Sequence, residues 1–129
     1  EFRRVLFRLM HFTENKDSGN AIVNNKLNDQ FIRKALDVVN ANMEKTDFGK
    51  EAFASEMGVS SSLLYKKTKA LTGLSPSEFI KSVRMSYAYN LLQSHEYSVT
   101  EISEKVGFSN LSAFSRAFKL HSGKNPTEI

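Results

Sequence analysis

One pattern of glycine, apolar, basic and proline residues occurs twice in this chain. Residues 57–76 read M-G-V-S-S-S-L-L-Y-K-K-T-K-A-L-T-G-L-S-P, and residues 106–126 read V-G-F-S-N-L-S-A-F-S-R-A-F-K-L-H-S-G-K-N-P. Gly58 and Ser60 recur 49 residues later as Gly107 and Ser109. Leu64, Lys66, Lys69, Gly73 and Pro76 recur 50 residues later as Phe114, Arg116, Lys119, Gly123 and Pro126. One residue has therefore been gained in the second copy, near Asn110. Self-similarity at one period implies two equivalent structural units.

Each copy specifies its own local structure. The leading glycine follows a short amphipathic run, where a chain leaving a helix needs positive φ. Phe114 and Phe118 are four residues apart and share one helix face, with Arg116 and Lys119 on the other side. Neither Gly58–Pro76 nor Ser109–Pro126 contains an acidic residue. A short helix, a tight turn and a second helix with one apolar and one basic face form a helix-turn-helix pattern. A plain helical hairpin with a solvated basic face would look alike in a single copy; the duplication favours the first reading.

The remaining segments fit around these two units. Phe31, Ile32, Ala35, Leu36, Val39 and Met43 form one stripe, predicting a helix from about Asn28 to Met43, capped by Asn28 or Asp29, that covers the first unit. A short helix from Lys50 to Met57 turns Ala52, Phe53 and Met57 inward, and the first recognition-like helix spans Ser61 to Leu71. Ser75-Pro76-Ser77-Glu78 supplies a cap, a proline at the first helical position and a glutamate at the third. This opens a long helix to Gln93 whose apolar face includes Phe79, Ile80, Val83, Tyr87, Ala88, Leu91 and Leu92. Ser98 and Glu101 repeat the capping-box spacing, with Val99, Ile102 and Val106 inward, and Asn125-Pro126-Thr127-Glu128 marks a truncated last helix. The expected fold is all-α, about seven helices, with two helix-turn-helix subdomains joined by a connecting helix. The boundaries are 1–25 for a linker or remnant of a larger parent, 26–74 for the first subdomain, 75–94 for the connector and 95–129 for the second subdomain.

Charge indicates the partner. The net charge is only +4, but acids concentrate between Asp29 and Glu56 and at Glu96, Glu101 and Glu104, away from both basic helices. Such segregation points to an anionic partner on one face, with double-stranded DNA foremost. The chain has no cysteine, which fits a cytoplasmic location, and no apolar run suggests membrane contact. His11, His95 and His121 show no ligand spacing, and there is no phosphate-binding loop or nucleophile elbow. No enzyme activity, metal or cofactor is expected of these residues, although a larger parent could carry a histidine kinase.

Arg84, Ala88, Leu91, Leu92, Ile102, Gly107, Phe108, Ser109, Phe114, Ser115, Arg116, Phe118, Lys119, Gly123 and Pro126 together resemble the signature of AraC/XylS-type transcriptional regulators. The resemblance covers roughly residues 28–129 and departs from the usual pattern at Thr68, where an aromatic is common. Leu64 to Gly73, with Glu78, Phe79, Ile80 and Arg84, looks especially like the output domain of hybrid two-component systems. What this implies is sequence-specific DNA binding in the service of transcription, commonly activation. RNA polymerase, and receiver and kinase domains of a larger parent, are further partners it implies.

A connecting helix of about 18 residues spans roughly 27 Å. With its flanks it can hold two recognition helices about one DNA turn, roughly 34 Å, apart. By position and by resemblance, Ser62, Tyr65 and Lys66 of the first unit and Leu111, Ser112 and Arg116 of the second are the base-contacting candidates. Ser61, Lys67, Lys69, Ser109, Asn110 and Lys119 are the phosphate-contacting ones. Phe108, Phe114 and Phe118 are core, and Arg84 ties the two units together. A competing reading makes the domain a protein-docking module that uses the acidic surface around Asp37, Glu44 and Glu56.

Overall fold

Residues 21–129, which the computed structural model describes, are organised by six α-helices and a final 3₁₀ turn, with no strand among the described residues. In chain order these are α1 (Ala21–Ala41), α2 (Lys50–Met57), α3 (Ser61–Thr72), α4 (Pro76–Ser94), α5 (Val99–Lys105) and α6 (Leu111–Ser122), then the turn Pro126–Glu128. The two recognition-like helices, α3 and α6, are each 12 residues long. The linker expected over residues 1–25 lies outside the described residues as far as residue 20.

Local sequence sets most of these limits. Ser75 and Ser98 each close a capping box with the glutamate three residues on, Glu78 and Glu101, and so start α4 and α5. Gly73 and Gly123, in the left-handed region, end α3 and α6. Ser60 accepts the Leu63 N–H (3.1 Å) at the start of α3, and Asn110 accepts the Ala113 N–H (3.0 Å) at the start of α6. The structural counterpart of Ser60 is therefore Asn110 rather than Ser109, which places the extra residue of the second copy between Gly107 and Asn110.

Several boundaries differ from the sequence reading. Helix α1 begins at Ala21, well before the expected start at Asn28, so neither Asn28 nor Asp29 caps it. The polar run Asn24, Asn25 and Lys26 reads as loop by composition, yet a helix propagates cheaply once a packed segment nucleates it. In α2, Ala54 is buried and Ala52 is exposed. In α4, Tyr87 is exposed. Pro126 opens a single 3₁₀ turn instead of an α-helix.

The core runs through both units along α4. Its first half sends Phe79, Ile80 and Val83 inward, and its second half Met85, Ala88 and Leu92. In the first unit Phe48 packs on Phe53 (6.0 Å between centroids) and Phe53 on Phe79 (5.8 Å). In the second, Phe108 meets Phe114 edge-on at 5.6 Å, Phe114 contacts Phe118, and Tyr89 of α4 stacks on Phe118 at 6.3 Å. Each unit thus has its own aromatic cluster, and α4 supplies one ring to each. Helix α1 closes the first unit with Ile32, Ala35 and Val39 fully buried, and Lys34 Nζ donates to the Met57 carbonyl at the end of α2 (3.3 Å).

Candidate nucleic-acid interface

The same periodicity that buries one side of α3 and α6 exposes the other. Leu64, Thr68 and Leu71 anchor α3 inward, and Phe114 and Phe118 anchor α6. At about 100° per residue, Ser62, Lys66 and Lys69 then share the outer face of α3, and Ser112, Arg116 and Lys119 that of α6. All twelve of the predicted contact residues are exposed: Ser61, Ser62, Tyr65, Lys66, Lys67, Lys69, Ser109, Asn110, Leu111, Ser112, Arg116 and Lys119.

The helix starts are also electrostatically distinct. Neither α3 nor α6 has an acidic residue in its first turn, so the positive end of each helix dipole is left for an external anion. Helices α4 and α5 instead neutralise theirs with Glu78 and Glu101. The accepted backbone N–H groups of Ser75 and Ser98 hold these two carboxyls below the ordinary glutamate value.

Not every candidate lies with the others. Lys67 turns towards α1, its ammonium 5.3 Å from the centroid of the Phe31 ring. The side-chain oxygen of Asn110 is engaged as a helix cap. Conversely, Lys50 at the start of α2 joins Ser61, Ser62, Tyr65 and Lys66 around a cleft of about 360 Å³ beside α3. Sequence reasoning missed Lys50, since only the α2–α3 crossing brings it there. It also missed Leu63 and Leu120, both exposed, the latter at 81%. Helical spacing places Leu63 and Leu120 on the flanks of the two outer faces.

Behind the interface, Arg84 of α4 is 8% exposed. Its Nη2 donates to the carbonyls of Lys45 (2.6 Å) and Asn42 (3.5 Å) in the α1–α2 loop. Burial pushes its pKa below the usual arginine value.

Comparison with known proteins matches this arrangement. A family model described as a helix-turn-helix domain matches residues 53–129. A solved transcriptional regulator from Chromobacterium violaceum, described as containing an AraC-type DNA-binding domain, superposes with a TM-score of 0.72 and is 28% identical. That match covers 81% of this chain and 92% of the other. The chain belongs to the AraC-type helix-turn-helix family.

Two relatives extend the comparison of this AraC-type domain. The Msm operon regulatory protein of Streptococcus mutans is 35% identical over 95% of this chain and 41% of its own length. Histidine kinase P4 of Formosa agariphila is 34% identical over 79% of this chain and 7% of its own length. The AraC-type domain therefore spans less than half of either relative. It is a DNA-binding domain, and no helix among its described residues is long and apolar enough to cross a membrane.

Proposed function

We propose that this AraC-type domain reads two successive major grooves of one duplex, with α3 in the first and α6 in the second. The observation that carries this reading is the pair of equal, acid-free helices, each anchored by its inner face and exposed on its basic outer face, joined through one helix. Helix α4 has 19 residues and so spans about 28 Å, which with its flanks approaches the roughly 34 Å of a DNA turn. Residues 26–74 and 95–129 act as the two reading units, and 75–94 as the connector.

In this reading Ser62, Tyr65 and Lys66 meet base edges in one groove, and Leu111, Ser112 and Arg116 in the next. Arg116 carries the strongest discrimination, because a bidentate contact to guanine is worth about 1–3 kcal/mol. Ser61, Lys69, Ser109, Asn110 and Lys119 hold phosphates and fix register, and Lys50 joins them through the cleft it shares with Ser61 and Lys66. Lys67, drawn to Phe31, contributes little. A rigid pair of helices asks the DNA to bend, at a cost of a few kcal/mol.

The domain serves as the output of a longer signalling regulator, with transcription activation as its effect and RNA polymerase as a partner. The match to a segment of a protein named as a histidine kinase supports a hybrid two-component parent with kinase and receiver domains. The docking reading draws less support, since Glu56 already accepts a hydrogen bond from the Asn42 amide (3.0 Å).

Selection from a randomised duplex library tests the proposal. Two short motifs about one helical turn apart, bound with a steep salt dependence, are the expected result. Binding no tighter than to random duplex overturns it.

A further inference from the structure

We propose that Arg84 is a positioning residue for DNA recognition: it clamps the first unit to the second and so fixes the separation and angle of α3 and α6. The inference rests on the two-groove reading for its consequence, but its physical basis is the junction itself.

Three contacts converge on this guanidinium. On one side it donates to the Lys45 and Asn42 carbonyls of the first unit. Asn42 is itself pinned, its Nδ2 donating to the Val38 carbonyl of α1 (2.7 Å) and to Glu56 Oε1 of α2 (3.0 Å). On the other side lies Gly107, in the turn between α5 and α6. A Cβ built there would stand 2.7 Å from Arg84 Cζ and 2.7 Å from the Met43 carbonyl oxygen. The turn that leads into α6 therefore rests directly on Arg84 and on the first unit.

The junction opens beside this bridge. One cleft of about 460 Å³ lies among Met43, Glu44, Lys45, Tyr87 and Lys105. Another, of about 160 Å³, has Arg84 in its wall together with Phe48, Gly49, Lys81 and Phe108. Between these clefts, Arg84 bridges the two units beside the core that α4 carries through both. Long helices are rarely straight, and a polar bridge beside α4 adds a second constraint on the register of the two outer faces.

Arginine suits this position for a chemical reason. Its planar fork presents several donors in fixed directions, whereas a lysine ammonium is a point charge on a flexible stem. Lysine keeps the charge and most of the stem, and its ammonium could donate to both carbonyls as Nη2 does here, but it has no planar group to set against Gly107. The side chain acts through geometry and not by touching DNA.

The chain has no cysteine, so Ser62→Cys and Ser112→Cys provide one spin-label site on each recognition helix. Double electron–electron resonance on the DNA-free domain should give one narrow distance distribution with Arg84 present. Arg84→Met and Arg84→Lys should broaden it roughly twofold while helix content by circular dichroism is retained. An unchanged width in the folded variants overturns the clamp. If Arg84→Met unfolds, Arg84→Lys decides by the same criterion.

A second arm uses duplexes recovered by the library selection. Moving the half-sites apart by one base pair should weaken the parent protein by roughly tenfold and Arg84→Lys by less than about threefold, with equal affinity for an isolated half-site. Loss of half-site binding in step with helix content in Arg84→Lys would assign Arg84 to folding alone and overturn the proposal. A parent protein indifferent to spacing overturns the two-groove reading, and the distance distributions then decide the clamp by themselves.

Discussion

Gly107 and Arg84 approach so closely that no side chain fits between them: a Cβ on Gly107 would lie 2.7 Å from Arg84 Cζ and 2.9 Å from its Nη2. Gly58, the repeat mate of Gly107, has a similar positive φ (75° against 84°) but nothing within 4 Å of its would-be Cβ. The two glycines share a conformational reason and differ in a steric one. Gly58→Ala should cost about 1–2 kcal/mol through left-handed backbone strain. Gly107→Ala should cost about 2–4 kcal/mol, because overpacking adds to that strain. Urea unfolding of both variants checks this, and equal losses would show that the Arg84 contact is slack.

Thr68 occupies the position in α3 that Phe118 occupies in α6, and both are fully buried. The Thr68 hydroxyl has no hydrogen-bond partner. A buried, unsatisfied polar group of this kind carries a desolvation penalty of about 1–3 kcal/mol. Valine has nearly the same shape without the hydroxyl. Thr68→Val is expected to stabilise the domain by about 1 kcal/mol, measured by thermal or urea unfolding.

The capping boxes at Ser75 and Ser98 make stability depend on acid. Glu78 Oε1 accepts the Ser75 N–H (2.8 Å), and Glu101 Oε1 the Ser98 N–H (2.8 Å). These bonds favour the ionised carboxylates, so both pKa values fall below the ordinary 4.5. The unfolded chain therefore binds protons at a higher pH than the folded one. The contribution is present above pH 4.5 and is lost as the pH falls through the lower folded values. Melting curves between about pH 6 and pH 3 should show a drop in Tm, and Glu78→Gln with Glu101→Gln should flatten it.

Charge removal should separate three kinds of surface residue. Arg116→Ala is expected to relax the sequence preference at one base position, at about 1–3 kcal/mol. Lys69→Ala should weaken all sequences alike and reduce the salt slope by about 1. Lys67→Ala should leave that slope nearly unchanged, because its ammonium is held over Phe31. Affinities measured against salt on selected and random duplexes distinguish the three, and a Lys67 effect as large as that of Lys69 would place it back on the interface.

The truncation Phe114→Ala probes the second aromatic cluster. Phe114 is fully buried between Phe108 and Phe118, and removing such a ring costs about 3–5 kcal/mol. Unfolding should show a loss of this size. A much smaller one would mean that the second unit contributes little to the common core.

Much of this architecture was legible from local rules. The repeat, the serine–glutamate boxes and the glycines at φ near 80° fixed where α3 to α6 begin or end, because caps and turns are decided by residues within a few positions of one another. The outer faces of α3 and α6 followed from where Leu64, Phe114 and Phe118 must point. Periodicity was less able to phase short or weakly amphipathic segments, so Ala52 was exchanged for Ala54 and Tyr87 was turned inward. Repeat alignment also paired Ser60 with Ser109, whereas Asn110 is the residue that caps α6 as Ser60 caps α3.

What the chain determined by itself, then, was a pair of units, their helix limits and the chemistry of two exposed basic faces. Those depend on neighbours in sequence, where spacing and side-chain type are enough. Only the tertiary structure drew Lys67 over Phe31, brought Lys50 to the α3 cleft and set Arg84 between the Lys45 carbonyl and Gly107. These pairs are distant along the chain, and their meeting depends on how helices cross, which close packing of the whole core decides.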